Sequence, residues 1–171
     1  LRNSSAASDV YKRQVHLGIP TDEEKANWFE RWEKYLPKKG ELVLFDRSWY
    51  TRALIEPTLG YCTKTEYKKF MNKVNKWEKN LIKSDIELIK FYFSIDQDQQ
   101  KRRLSARKNS KLKYWKLSKS DQMMVDKWDL FTLYKNQMFD ITSTKIAPWV
   151  VVNANNKMIA RLSALRYLLN S

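Results

Sequence analysis

Hydrophobic and polar positions along this chain switch between a helical period and short continuous apolar runs. From Thr21 the period is helical. Thr21 and Glu24 have the spacing of a capping box, Trp28, Phe29, Trp32, Tyr35 and Leu36 fall on one face, and Pro37 and Gly40 end the run. Residues 42–45, LVLF, form an unbroken apolar stretch of strand length, which predicts a strand covered on both faces in a parallel sheet. A second capping box, Thr63 with Glu66, precedes Tyr67, Phe70, Val74, Trp77 and Leu81 at helical spacing. Residues 86–95, IELIKFYFSI, predict a second strand ending at Asp96, which with Gln99 caps the following helix. Ser118 opens a long helix carrying Val125, Trp128, Phe131, Tyr134 and Met138, WVVVN from Trp149 is a third strand, and residues 158–169 are a closing helix. Residues 1–14 are small and polar without periodicity; they read as a foreign or disordered segment with no core element.

Strands alternating with helices predict an α/β layer built on a parallel sheet, although three strands are few for one. At 171 residues with 43% hydrophobic content, the chain can bury one sizeable core, as a single domain does.

The apolar run at 42–45 ends abruptly in Asp46. In open α/β sheets ligands bind beyond the carboxyl ends of the strands, so a carboxylate there faces a site rather than the core. A hydrophobic run ending in Asp is the Walker B arrangement, in which the carboxylate holds Mg²⁺ beside phosphates. Arg47, Arg52 and Glu56 follow closely, Glu56 as a supporting carboxylate behind Asp46. The same residues also suit a plainer reading, with Asp46 capping the next turn and Arg47 and Glu56 forming a surface ion pair.

Charge narrows the partner. Thirty-three Lys and Arg against 19 Asp and Glu give +14, which favours an anion: nucleic acid, an acidic membrane surface or a phosphorylated small molecule. Nine of those basic residues lie in residues 101–119, KRRLSARKNSKLKYWKLSK, with no acidic residue among them. A charge run is often only a solvated face. Here it follows a strand and its capped helix, where phosphate-transferring enzymes place a basic lid. One cysteine, Cys62, and one histidine, His16, exclude an internal disulfide, a Cys/His zinc cluster and a His-based triad. That usage, with no apolar stretch near the length of a membrane span and no signal-peptide core at the start, predicts a cytoplasmic protein with no membrane partner.

GELVLFDRSWYTRALIEPTLGYCT, FSIDQDQQKRRLSAR, LKYWKLSKSD, KWDLFTLYKNQMF, APWVVVNANNK and ARLSALRYLL, in this order, together resemble the type 2 polyphosphate kinase family over about residues 18–169. The resemblance implies a P-loop-kinase-like three-layer sandwich with a parallel sheet and a helical lid at about 97–119. It implies phosphoryl transfer between inorganic polyphosphate and a nucleoside diphosphate or triphosphate, with Mg²⁺. FDRSWY resembles the class acting on diphosphates and triphosphates, whereas AMP-using classes more often carry Asn in place of Asp46. Carried over by position, Asp46 matches the metal carboxylate and Arg47 a phosphate-binding partner. Arg102, Arg103 and Arg107 match lid arginines, Lys113 and Lys116 follow in the same segment, and Arg52 joins them as a phosphate ligand. Asp121 matches an acidic position after the lid that serves metal or lid geometry; as third residue after Ser118 it is equally a helix-start residue. Trp115 and Trp149 match family tryptophans and are left out of the site, since an aromatic is more often core than a base platform.

Two departures matter. The only glycines are Gly18, Gly40 and Gly60, so the Gly-rich Walker A loop cannot be made from these residues, and the strand and helix around it are missing too. The expectation is a partial domain at 15–171, the C-terminal part of a larger enzyme, inactive by itself. Ser110 with Lys111 stands where the lid often has Asp-Pro, and Asn155 with Asn156 where acidic residues are common. Two rivals remain: a nucleoside monophosphate kinase resembling thymidylate kinases, which shares the Asp-Arg strand end and Arg-rich lid, and a non-catalytic nucleic-acid-binding module. Against the module, the aromatics fall at core spacing rather than on a platform, so no nucleic acid is expected as partner. A homo-oligomer is compatible with the sequence.

Overall fold

Thr21 does cap a helix, but a short one. In the computed structural model, which describes residues 11–112, 115 and 118–170, α1 spans Asp22–Ala26 and α2 spans Glu30–Glu33. The chain between them leaves helical geometry at Asn27 (φ −109°, ψ 56°), so the expected single helix is two. Thr21 N donates to Glu24 Oε2 at 3.0 Å and Glu24 N donates back to Thr21 Oγ1 at 3.2 Å. Trp28 and Trp32 are buried as their spacing predicts.

The chain divides into two units, residues 1–52 and 53–171. In the first, β1 (Tyr11–Val15) and β2 (Glu41–Phe45) pair in parallel, with Tyr11 opposite Glu41 and Val15 opposite Phe45. Residues 11–14 are therefore part of a strand, contrary to the expectation of no core element there; residues 1–10 lie outside the described residues. Main-chain pairing creates this strand, and such pairing leaves no trace in hydrophobic periodicity when polar residues fill most positions. β2 is not covered on both faces as expected. Leu42 and Leu44 are 36% and 48% exposed, while on the other face Phe45 meets the Trp32 ring edge-on at 5.9 Å.

The second unit is a helix–sheet–helix arrangement. After α3 (Ile55–Leu59), which Gly60 ends in the left-handed region at φ 78°, α4 (Lys64–Lys83) buries Phe70, Met71, Val74 and Leu81. The expected second strand is confined to β3 (Lys90–Ser94), parallel to β4 (Trp149–Asn153), with Lys90 opposite Trp149 and Ser94 opposite Asn153. Between them lie α5 (Gln97–Lys108), α6 (Lys119–Asp126) and α7 (Trp128–Thr142), and α8 (Lys157–Asn170) follows β4. Successive side chains of β3 point to opposite faces. Tyr92 meets Phe139 of α7 at 5.1 Å, and Phe91 meets Tyr167 of α8 at 5.5 Å, so each face of this sheet carries a helix. Val152, Ala154 and Ala160 form the core beneath α8, with Phe91, Ile95 and Val150 packed against it.

The single long helix expected from Ser118 is divided at Lys127 (φ −108°, ψ 24°) into α6 and α7. Val125, Trp128 and Phe131 keep three-residue spacing across the break, so periodicity passes through it unmarked. The fold is α/β with parallel strands, as the alternation predicts. Among the described residues no helix is long and apolar enough to cross a membrane.

Candidate active site

Asp46 stands where the strand pair ends. Its N–H donates to Val15 O at 2.9 Å, carrying the parallel pairing one residue beyond β2 and placing the side chain at the carboxyl edge, where it is 62% exposed. His16, the residue after β1, brings Nδ1 to 3.5 Å from Asp46 Oδ2. Arg47 follows in the left-handed region at φ 62° and is exposed. That conformation is unfavourable for a residue with a Cβ, by about 1–2 kcal/mol, and it persists because the next residues are anchored. Ser48 Oγ accepts from Tyr50 N at 3.3 Å, and Trp49 opens a 3₁₀ turn, Trp49–Arg52. Trp49 is buried against Phe45 (5.6 Å) and Trp32 (6.3 Å), and its carbonyl accepts from Trp28 Nε1 at 3.0 Å. An aromatic wall thus holds the Asp46–Arg47 turn from behind.

Arg52 belongs to that wall. Its guanidinium lies 4.0 Å from the centre of the Trp28 ring and the residue is 2% exposed, so the structure packs it as a buried cation rather than presenting it as an open phosphate ligand. Glu56 is likewise buried, on α3 of the second unit, which does not suit one half of a surface ion pair. Among the described residues no group of three or more His, Cys, Asp or Glu gathers as a metal cage. An open carboxylate at a strand end does fit Mg²⁺, which keeps several waters and takes one or two protein carboxylates together with substrate phosphates.

The basic segment of the second unit is divided in its commitments. Asp96 caps α5, its Oδ1 accepting from Gln99 N at 2.7 Å. Arg102 is exposed. Arg103 is not: its Nη2 donates to the carbonyls of Ala154 (2.6 Å) and Asn155 (3.0 Å), which engages with the main chain a group expected to bind phosphate. Arg107 Nη1 lies 3.7 Å from Asp121 Oδ2, joining α5 to α6. Asp121 also completes a capping box with Ser118, accepting from Ser118 N at 3.1 Å while its own N–H donates to Ser118 Oγ at 3.0 Å. One carboxylate thus both starts α6 and meets Arg107 of α5. Lys113 and Lys116 lie outside the described residues. Trp115 is 70% exposed, and Trp149 donates from Nε1 to Thr142 Oγ1 at 2.9 Å.

Beyond the carboxyl ends of β3 and β4 a cleft of about 410 Å³ is lined by Ser94, Ile95, Asp96, Val151, Asn153 and Asn155. Its amides, hydroxyl and single carboxylate suit hydrogen bonding to a neutral polar group better than to a phosphate. Sequence reading passed over His16 and Asn155. The first has no motif around it, and the second shows only as standing, with Asn156, where acidic residues are common.

The family model Polyphosphate kinase 2 (PPK2) matches residues 8–171. The chain is 44% identical over 160 residues to NDP-polyphosphate phosphotransferase 2 of Ruegeria pomeroyi, covering 93% of this chain and 46% of that protein. It is 44% identical over 158 residues to GDP-polyphosphate phosphotransferase of Mycolicibacterium smegmatis, covering 92% of this chain and 56% of that protein. The chain spans about half the length of these curated relatives. Among solved structures, polyphosphate kinase 2 from Arthrobacter aurescens TC1 superposes with a TM-score of 0.86 at 35% identity, over 93% of this chain and 56% of that one.

Proposed function

The chain belongs to the polyphosphate kinase 2 family, and from that premise we propose that the protein moves a terminal phosphoryl group between inorganic polyphosphate and a nucleoside diphosphate, with Mg²⁺ held at Asp46. The observation that carries this reading is an exposed Asp46 at the carboxyl edge of a parallel strand pair, followed at once by an exposed arginine, in a chain whose relatives are named for polyphosphate phosphotransfer. When bound there, Mg²⁺ neutralises charge on the transferring phosphates. The chain's own groups orient and shield. Arg47 offers a guanidinium beside the carboxylate, on a turn fixed by Trp28, Trp32 and Trp49, so that little reorganisation accompanies phosphate binding. Arg102 is an exposed cation on α5, and Arg107 is half-exposed and able to exchange Asp121 for a phosphate oxygen.

Residues 15–171 act in this reading as part of the catalytic domain. They contain no glycine-rich phosphate cradle, so the test uses the natural gene product at the length of its relatives. ATP formation from ADP and polyphosphate should be robust with Mg²⁺ and abolished by EDTA. Phosphorylation of monophosphates alone, or activity undiminished by EDTA, would overturn the proposal.

A further inference from the structure

The residue that caps α5, Asp96, and two residues of one α5 face, Gln99 and Arg103, converge on a single residue 52 to 59 positions away. Asp96 N donates to Asn155 Oδ1 at 3.1 Å, and Asp96 Oδ2 accepts from Asn155 Nδ2 at 2.7 Å. Gln99 Nε2 donates to Asn155 O at 3.1 Å. Arg103 Nη2 donates to the same carbonyl and to that of Ala154. Positions 99 and 103 are four residues apart, which puts them on one side of the helix, and Asp96 caps its first turn. The turn they grip is itself fixed: Ala154 N donates to Ser94 O at 2.7 Å, and Asn155 N to Asn153 Oδ1 at 3.0 Å. Arg102, one position round the helix, is exposed.

We propose that Arg103 is a positioning residue, which with Asp96 and Gln99 clamps the root of the lid helix onto Asn155, and that Arg102 rather than Arg103 meets the anion. The neighbouring arginines of the run KRRLSAR thereby have different tasks. Arg103 sets the direction in which α5 leaves the sheet, and Arg102 supplies the charge. Only the anion's identity rests on the polyphosphate reading; the clamp stands on the hydrogen bonds.

The experiment has two readouts on the 171-residue chain. Amide hydrogen exchange of residues 97–108 should quicken roughly tenfold in Arg103→Ala, where two charge-assisted hydrogen bonds are lost. Arg103→Lys, which can donate to the same two carbonyls, should restore protection, and Arg102→Ala should leave it unchanged. Asn155→Ala, which deletes only the side-chain bonds to Asp96, should quicken exchange as well and provides the answer if Arg103→Ala fails to fold. The second readout is binding of a long polyphosphate as a function of salt. Arg102→Ala should reduce the slope by about 0.7, the value of one contact on single-stranded nucleic acid, whereas Arg103→Ala should not change it. Unchanged exchange in both Arg103→Ala and Asn155→Ala, or a slope lost in Arg103→Ala as fully as in Arg102→Ala, would overturn the assignment. Failure of every form to bind polyphosphate would count against the proposed function and against Arg102 as its ligand, while exchange would still decide the clamp.

Discussion

Lys90 Nζ donates to Glu78 Oε2 at 2.9 Å, with both side chains at most 3% exposed, and to the carbonyl of Thr142 at 2.7 Å. β3 is thereby tied to α4 and to the end of α7. Burial lowers the ammonium's pKa, and the Glu78 charge and hydrogen bond work against that shift. Removing the carboxylate leaves the buried Lys90 ammonium without its Glu78 counter-charge, so Glu78→Gln should destabilise the protein by about 3–5 kcal/mol. Replacing both by apolar residues of similar volume should cost much less. Urea unfolding of the single and double variants checks the difference.

Tyr92 predicts an alkaline limit. Burial pushes its phenol up to about 12 from 10.0. Between those values the folded protein keeps a proton that the unfolded chain loses, so stability is full below pH 10 and falls as pH rises toward 12. The loss amounts to about 2–3 kcal/mol. Lys90, with its lowered pKa, contributes a slope of opposite sign below its ordinary 10.5. Tyr92→Phe isolates the tyrosine: unfolding measured at pH 9 and pH 11 should show the wild type losing more stability than the variant.

Asp46→Asn should lower turnover of the natural enzyme by about 10²–10⁴-fold while leaving its melting temperature within a degree or so. The side chain is 62% exposed, so the fold does not depend on it, whereas the metal positioning proposed for it does. Turnover near the wild-type value would make Asp46 a turn residue only.

Arg47→Gly should separate stability from function. Glycine adopts φ near 62° without the Cβ clash, so chemical unfolding should show a gain of up to about 1 kcal/mol. Loss of the guanidinium beside Asp46 should weaken phosphate binding in the same variant. A variant both destabilised and fully active would mean that the turn needs the arginine for packing.

Thr21, Thr63, Asp96 and Ser118 were legible as helix starts because each cap closes onto a residue three positions away, a distance visible in sequence. The parallel α/β alternation and the place of Asp46 at a strand end were legible for a similar local reason: strand length and apolar continuity are properties of a few consecutive residues. Tertiary structure alone decided the rest. β1 exists because the main chain of residues 11–15 pairs with residues 41–45, and pairing needs no apolar side chain. The break at Lys127 keeps the spacing of the apolar positions on either side of it. Arginines are ambiguous in sequence because one guanidinium can hold a phosphate, a ring or a carbonyl equally well. Arg52 over Trp28 is 24 residues from its partner by number, and Arg103 is 51 from Ala154. Which partner each found was set by what the folded chain brought within 4 Å, and no local pattern encodes that choice.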